Sequence, residues 1–254
     1  MGFTFFGRFI PWYGFFIALG IVSALLLALT LCKLKSYDFD NCLILSAWLI
    51  GFGFLGAKLF YLILYFRHID WSSFFSSLKY FSQTINSGFI FYGGFIGGLC
   101  ALPLIKIIHK IDIKPCLQVL SPCVALAHSF GRIGCSFAGC CFGCPTNSNF
   151  YFIYSESISA PNGVKLFPVQ GIEAFAVFLL AVFFTILILK EIKISIPKLY
   201  IVLYSIIRFI LEFFRGDIIR GHLGLLSTSQ IISLVLLAGT FILDFIHLIK
   251  ARSK

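Results

Sequence analysis

Three polar residues interrupt a long apolar segment near the C-terminal end of the chain. Tyr204, Arg208 and Glu212 lie in the segment 199–214, LYIVLYSIIRFILEFF. Because they are spaced four residues apart, a helix places all three on one face. An ionised side chain inside a membrane is costly unless it faces protein or a wet cavity. The stripe therefore predicts that Arg208 holds an anion; a structural Arg208–Glu212 ion pair that locks helices together is the alternative.

A second candidate segment, 128–146, has the sequence HSFGRIGCSFAGCCFGCPT. Its four glycines predict an irregular loop rather than a stable helix, and they allow close approach of the backbone to a ligand. Backbone N–H groups in such a loop can bind an anion together with Arg132, whose planar guanidinium suits phosphate. If the preceding helix continues to Arg132, His128 lies one turn away on the same face.

Four of the nine cysteines fall within ten residues: Cys135, Cys140, Cys141 and Cys144. Three interpretations remain open, namely a disulfide, a metal site and a reactive thiol. The spacing C-x4-C-C-x2-C is not typical of zinc, and adjacent cysteines make awkward ligands for one ion. We therefore predict a structural or disulfide role and no bound metal.

The elements that must position these residues are membrane helices. Hydrophobic residues make up 59% of the 254 residues and charged residues only 12%, with a mean hydropathy of +0.99. We predict an all-α integral membrane protein, with residues 1–254 forming a single polytopic domain. The first apolar stretch has no clear cleavage site, which favours a retained helix. The seven apolar stretches are 9–31, 42–66, 88–108, 115–134, 168–189, 199–214 and 225–249.

The basic residues predict the orientation of these helices. With seven spans, eleven of the 20 lysines and arginines fall on one side and seven on the other. The lysine-rich side is expected to be cytoplasmic, with the N-terminus outside and the C-terminus inside. The net charge of +10 therefore fits contact with a lipid bilayer and requires no nucleic acid. Arginines, including Arg215 and Arg220 near Asp217, dominate the outer side, where we expect the site.

Several short motifs occur in order along the chain. The glycine-rich segment contributes GRIG at 131–134, followed by G-x3-G-x-PT. The others cover most of the chain: WYG at 12–14, GFGFLGAKLFY at 51–61, SGFIFYGG at 87–94, FPVQGIEA at 167–174, Y-x3-RFILEFFR-x-D at 204–217 and S-x-x-Q at 227–230. Together these motifs resemble those of the prolipoprotein diacylglyceryl transferase family.

The resemblance implies a transferase of the bacterial inner membrane with its site toward the outer leaflet. Such an enzyme moves diacylglyceryl from phosphatidylglycerol to the lipobox cysteine of a preprolipoprotein signal peptide and releases glycerol 1-phosphate. It needs no cofactor. Arg132 and Arg208 match positions regarded as essential, and Tyr204 and Glu212 match residues that flank the second arginine. The other substrate-binding residues implied are Tyr13, Gly93, Gly94, Cys135, Cys140 and Arg215.

This chain departs from the family pattern at several of these positions. Tyr92 stands where the family has a histidine often assigned as the base, and Lys58 stands where an arginine is usual. Cys135 and Cys140 replace an asparagine and a glutamate. We hypothesise that His128 acts as the base or as a headgroup ligand, although a histidine hydrogen-bonded between helices is an equal alternative. A thiol-redox or lipid-binding membrane protein without transferase activity is the alternative function.

Overall fold

The computed structural model describes residues 2–86, 90–157, 159–217, 222–224 and 226–252. Most of these residues are helical. The strands are β1 (Gly2–Phe5), β2 (Arg8–Pro11), β3 (His222–Leu223) and β4 (Leu226–Ser227). The helices are α1 (Trp12–Lys35), α2 (Phe39–Leu64), α3 (Trp71–Ser76), α4 (Leu78–Asn86), α5 (Phe91–Ile108), α6 (Ile113–Ala138), α7 (Val169–Leu189), α8 (Ile196–Glu212) and α9 (Thr228–Arg252), with a 3-10 turn at Phe66–His68.

The lengths and composition of the helices agree with a membrane protein. Helices α1, α2 and α7 are long and apolar enough to cross a bilayer. Two shorter apolar helical stretches are Gly93–Ile108 and Thr228–Ile242. The all-helical membrane class is thus confirmed, and the count of seven spans stays a prediction. The antiparallel pairs β1–β2 and β3–β4 were not predicted.

Helix α6 continues through the glycine-rich segment, so the prediction of an irregular loop there was wrong as far as Ala138. Each helical glycine costs roughly 1 kcal/mol relative to alanine, but Gly134 permits close packing against α1. A Cβ at Gly134 would lie 3.3 Å from Tyr13 Cδ2. Phe16 of α1 also stacks on Phe137, with ring centroids 5.0 Å apart. Tertiary packing therefore outweighs the low helix propensity of the glycines as far as Ala138. The helix ends there, and the next residue, Gly139, has a φ of +69°.

The chain divides into two compact units, Ser36–Leu117 and the remainder, Met1–Lys35 with Gln118–Lys254. The single polytopic domain over 1–254 stays a prediction.

Glycines bring α2 and α5 together in the unit Ser36–Leu117. A Cβ at Gly56 of α2 would lie 2.3 Å from the carbonyl oxygen of Gly93. A Cβ at Gly97 would lie 2.1 Å from the carbonyl oxygen of Phe52. These distances leave no room for a side chain at either position. Small residues at such positions allow the backbones of two membrane helices to approach closely.

Replacing Gly97 with alanine is expected to destabilise the α2–α5 pair. The new methyl would overlap a backbone oxygen, and overpacking of this kind costs about 1–3 kcal/mol. Gly98, the next residue of the same helix, is the matched control, because a Cβ there meets no atom within 4 Å. Thermal unfolding in detergent should show a lower midpoint for Gly97→Ala and an unchanged or higher one for Gly98→Ala. Equal midpoints would contradict the packing described.

In the other unit, α6, α7 and α8 pack around one buried cluster. Ala125 of α6 contacts Val177 and Ala181 of α7, and Tyr200 and Tyr204 of α8 pack against them. The side chain of Gln118 fixes the start of α8. Its Nε2 donates to the carbonyl oxygen of Ile194 (2.9 Å), and its Oε1 accepts from the backbone N–H of Ile196 (2.8 Å). These contacts align the polar residues of the three helices.

The loop after α6 is held against the ends of α7 and α8 by backbone hydrogen bonds. The N–H of Cys144 donates to the carbonyl oxygen of Phe214, and the carbonyl oxygen of Cys144 accepts from the N–H of Phe167, both at 2.9 Å. Gly143 is required by this packing, because a Cβ there would lie 2.1 Å from the carbonyl oxygen of Phe167. The cysteine-rich loop therefore has a defined position beside the helix ends.

Candidate active site

One buried carboxylate from α7 joins the two predicted arginines. Glu173 is 1% exposed. Its Oε1 lies 3.0 Å from Nη2 of Arg132 and accepts a hydrogen bond from the hydroxyl of Tyr204 (2.9 Å). Its Oε2 lies 3.7 Å from Nη1 of Arg208. Side chains from α6, α7 and α8 thus form a single polar cluster inside otherwise apolar helices.

The stripe predicted on α8 lies on one face and points into this cluster. Arg208 is 7% exposed. Its Nη2 lies 2.6 Å from Oε2 of Glu212 and donates to Oγ of Ser229 on α9 at 3.1 Å. The Arg208–Glu212 ion pair weighed as an alternative is therefore present, but within one helix rather than between helices. Arg208 additionally contacts α7 and α9 side chains, which a simple intrahelical pair would not require.

Two atoms of the cluster are buried without a hydrogen-bond partner among the described residues. They are Nη1 of Arg208 and Oε2 of Glu212. The carboxylate oxygen lies close to Arg208 without forming an aligned hydrogen bond, so this contact is mainly electrostatic. Buried polar groups in folded proteins are nearly always hydrogen-bonded. An unpartnered guanidinium N–H at this position can donate to an anionic ligand.

Arg215 follows α8 and extends the cluster toward the cysteine-rich loop. Its Nε and Nη2 donate to the two carboxylate oxygens of Asp217 at 2.9 and 2.8 Å. Burial disfavours the charged guanidinium, but the interactions with Asp217 and Cys141 together outweigh burial and raise the pKa of Arg215 above its ordinary value. Its Nε also lies 3.9 Å from Glu212. Arg215 is therefore a fixed cation at the end of the stripe.

His128 contacts the cluster through both of its ring nitrogens. Its Nε2 accepts a hydrogen bond from Nε of Arg132 at 3.4 Å, and its Nδ1 lies 3.1 Å from the hydroxyl of Tyr200. The ring stands edge-on to Tyr204, with centroids 4.9 Å apart. The acceptor role of Nε2 assigns the proton of a neutral ring to Nδ1. These contacts favour a role in orienting Arg132, while the predicted role as base stays a prediction.

The thiols at the end of α6 lie close together. The Sγ atoms of Cys135, Cys140 and Cys141 are all within 4.8 Å of one another. Gln170 of α7 holds this loop, because its Nε2 donates to the carbonyl oxygen of Cys140 (3.1 Å) and to the hydroxyl of Tyr154 (3.2 Å). Burial raises the pKa of Tyr154, so this hydroxyl stays protonated at neutral pH.

The remaining predicted residues have different surroundings. Tyr13, at the start of α1, lies beside Gly134 and is 43% exposed. Gly93 and Gly94 belong to α5, where they pack against Gly56 and Gly53 of α2. The side chain of Tyr92 and all of Arg220 lie outside the described residues.

Sequence reasoning missed the central role of Glu173. This residue was included only within the motif FPVQGIEA and was given no role in the site, although an ionisable residue at the start of an apolar helix is itself a signal. It also left the motif S-x-x-Q unexplained. Oε1 of Gln230 accepts from the N–H of Ser227 (2.9 Å), and Oγ of Ser227 accepts from the N–H of Gln230 (3.2 Å). This capping box starts α9 and places Ser229 in its first turn, beside Arg208.

Comparison with known proteins gives the family. The family model described as prolipoprotein diacylglyceryl transferase matches residues 2–246. The phosphatidylglycerol–prolipoprotein diacylglyceryl transferase 2 of Clostridium perfringens is 36% identical over 250 residues, which cover 98% of this chain and 95% of the relative. The phosphatidylglycerol–prolipoprotein diacylglyceryl transferase of Clostridium tetani is 37% identical over 244 residues, which cover 95% of each chain.

A more distant relative matches along the same length. The phosphatidylglycerol–prolipoprotein diacylglyceryl transferase of Finegoldia magna is 26% identical over 260 residues, which cover 100% of this chain and 99% of the relative. The family match spans all the residues of the polar cluster around Glu173, from Arg132 on α6 to Ser229 on α9. On this evidence the chain belongs to the prolipoprotein diacylglyceryl transferase family.

Proposed function

We propose that this chain transfers a diacylglyceryl group from phosphatidylglycerol to the lipobox cysteine of a preprolipoprotein. The observation that carries the proposal is the convergence of Arg132 and Arg208 on one buried carboxylate, that of Glu173. The Nη1 atom of Arg208 has no hydrogen-bond partner among the described residues. The relatives named above are enzymes of this activity, and they match nearly the whole chain.

The chemistry requires stabilisation of a phosphate leaving group. The cysteine sulfur attacks the glyceryl carbon bonded to the phosphate oxygen, the C–O bond breaks, and a thioether forms. The thiol proton is released, and the phosphodiester becomes the monoester glycerol 1-phosphate with one additional negative charge. Two guanidinium groups in a buried site can stabilise that charge as it develops, which is worth several kcal/mol in comparable sites. Arg132 and Arg208 are assigned this role.

The carboxylates of the cluster orient these arginines before substrate binds. Glu173 contacts both Arg132 and Arg208, and Glu212, one turn later on α8, contacts the guanidinium of Arg208. The phosphate is expected to lie at Nη1 of Arg208, which is 3.7 Å from Glu173 but has no hydrogen-bond partner among the described residues. Tyr204 and Arg215 are assigned to the headgroup. Tyr13, Gly93, Gly94, Cys135 and Cys140 stay predicted substrate contacts, and Tyr92 and His128 stay predicted catalytic residues.

The proposed setting is a bacterial inner membrane crossed by seven spans, with the N-terminus outside and the C-terminus in the cytoplasm. Support comes from three helices of membrane length and from the lysine-rich side of the chain. The site would then open toward the outer leaflet, where the signal peptide of a translocated preprolipoprotein presents its lipobox cysteine.

A transfer assay tests the proposal directly. Purified protein in detergent is incubated with phosphatidylglycerol and a lipobox peptide, and both glycerol phosphate and lipid-modified peptide are measured. We expect turnover by the unmodified chain and a loss of at least about 100-fold for Arg132→Gln. Arg67→Gln is the matched control, because Arg67 is exposed in the other compact unit.

The same assay separates the alternatives. His128→Ala with undiminished turnover would remove the hypothesis that His128 is the base. No turnover by a folded protein that binds phosphatidylglycerol would contradict the transferase. The three neighbouring thiols would then favour a thiol-redox function, which predicts that cysteine substitutions matter and Arg132→Gln does not.

A further inference from the structure

Three thiols converge at the end of α6. Cys135 lies in its last turn, and Cys140 and Cys141 follow just after the helix ends. Their sulfur atoms are all within 4.8 Å of one another. Sulfurs bound to one zinc ion lie about 2.3 Å from it and therefore about 4 Å from each other. Only a small movement of the side chains is needed to reach that arrangement.

The backbone reverses direction to bring these thiols together. Gly139 has a φ of +69°, and a Cβ there would lie 2.2 Å from Oγ of Ser157. Cys141 has a φ of +60°, in the left-handed region that residues with a side chain seldom adopt. Such conformations persist where the surrounding structure imposes them and are common at ligand sites. Gln170 contributes to this by holding the carbonyl oxygen of Cys140.

Two arginines give the cluster a positive environment. Arg132 precedes Cys135 by one turn of α6 and interacts with it electrostatically. Arg215 is within hydrogen-bond reach of the Cys141 thiol. Nearby guanidinium groups stabilise thiolates, which are the form that binds a metal. They would also offset the excess negative charge of three thiolates around one cation.

We propose that Cys135, Cys140 and Cys141 bind one thiophilic metal ion, of which Zn²⁺ is the test case. A disulfide would use two of the three thiols and leave the convergence of the third unexplained. Three sulfur ligands favour soft or borderline ions such as Zn²⁺ over Mg²⁺ or Ca²⁺. Metal uptake can be measured whether or not the chain is a transferase. The proposal departs from the prediction of no metal, which rested on the spacing of the cysteines along the chain and did not include the reversal of the backbone after α6.

Metal binding is expected to release protons and to weaken in acid. Cysteine binds a metal as the thiolate, so the ion must displace protons from the thiols. Affinity should fall as the pH is lowered, because protons then compete more strongly for the same sulfur atoms.

Zinc titration of the reduced protein tests the site. The full chain is purified in detergent with reductant under anaerobic conditions and titrated with Zn²⁺ against a chromophoric chelator. We expect one equivalent to bind, and Cd²⁺ to give a sulfur-to-metal absorption band in the ultraviolet. Each of Cys135→Ser, Cys140→Ser and Cys141→Ser should weaken Zn²⁺ binding by about 100-fold or more. Cys144→Ser is the matched control in the same loop and should bind as tightly as the unmodified chain.

A second measurement guards against variants that fail to fold. Zn²⁺ should raise the thermal unfolding midpoint of the unmodified chain and of Cys144→Ser, since a ligand bound only by the native state stabilises it. The proposal is overturned if the reduced, unmodified chain takes up no Zn²⁺. It is also overturned if the three serine variants still bind, or if Cys144→Ser loses binding equally. A disulfide between two of the three cysteines, with no Zn²⁺ uptake after its reduction, would replace the metal site by a redox pair.

Discussion

Replacing Glu173 with glutamine is expected to lower the transfer rate by at least about 100-fold, because it misplaces the arginines at the site. The same change should destabilise the fold by about 3 kcal/mol or more, which is typical when one partner of a buried ion pair is removed. Glu173 neutralises Arg132 and Arg208 together and accepts from Tyr204. Glutamine preserves the shape but leaves the buried Arg208 and the half-buried Arg132 without their shared anion.

Unfolding in detergent and the transfer assay measure the two effects independently. Glu191→Gln is the matched control, since Glu191 pairs with Lys35 at 2.7 Å but has a side chain that is 75% exposed. Exposed pairs contribute little to stability, so this variant should behave like the unmodified chain. Equal behaviour of the two variants would show that Glu173 neither stabilises nor orients the arginines.

The sequence predicted the polar residues of α8 that belong to the site, but not the residue of another helix that contacts them. The spacing of Tyr204, Arg208 and Glu212 was sufficient to place them on one face, because helical periodicity depends only on local structure. The partner that gathers them, Glu173, lies more than thirty residues earlier in the chain. A contact between separate helices depends on how they pack, and a single sequence carries no direct record of that.

The structure of the cysteine-rich segment also depends on tertiary packing that could not be predicted from the sequence. Its glycine content predicted a loop, yet packing of Gly134 against Tyr13 keeps the segment helical as far as Ala138. The reversal that follows places Cys140 and Cys141 next to Cys135. Ligand spacing along the chain could not anticipate this, because the positive φ of Cys141 is imposed by its surroundings. The all-helical fold class was therefore predictable from the sequence, whereas the grouping of the three thiols in space was not.

Replacing Arg208 with lysine is expected to reduce the rate constant for transfer by about 100- to 1,000-fold, as found when a donor to a developing oxyanion is removed. Lysine keeps the positive charge but has one nitrogen in place of the guanidinium fork. In Arg208, Nη2 contacts Glu212 and Ser229, while Nη1 lies 3.7 Å from Glu173 and has no hydrogen-bond partner among the described residues, so Nη1 is the nitrogen assigned to the phosphate. A single ammonium cannot occupy both positions.

The control for Arg208→Lys is Ser229→Ala, which removes only the neutral contact to Nη2. A hydrogen bond from a charged donor contributes at least about 1.5 kcal/mol, so its loss should slow transfer by roughly tenfold, which is still less than the loss expected for Arg208→Lys. Initial rates at saturating phosphatidylglycerol give kcat for each variant, and binding of the lipid by the inactive variant shows that the fold is intact. If Arg208→Lys retained more than a tenth of the activity, charge alone would be sufficient. The fork held by Glu173, Glu212 and Ser229 would then have no part in stabilising the leaving phosphate.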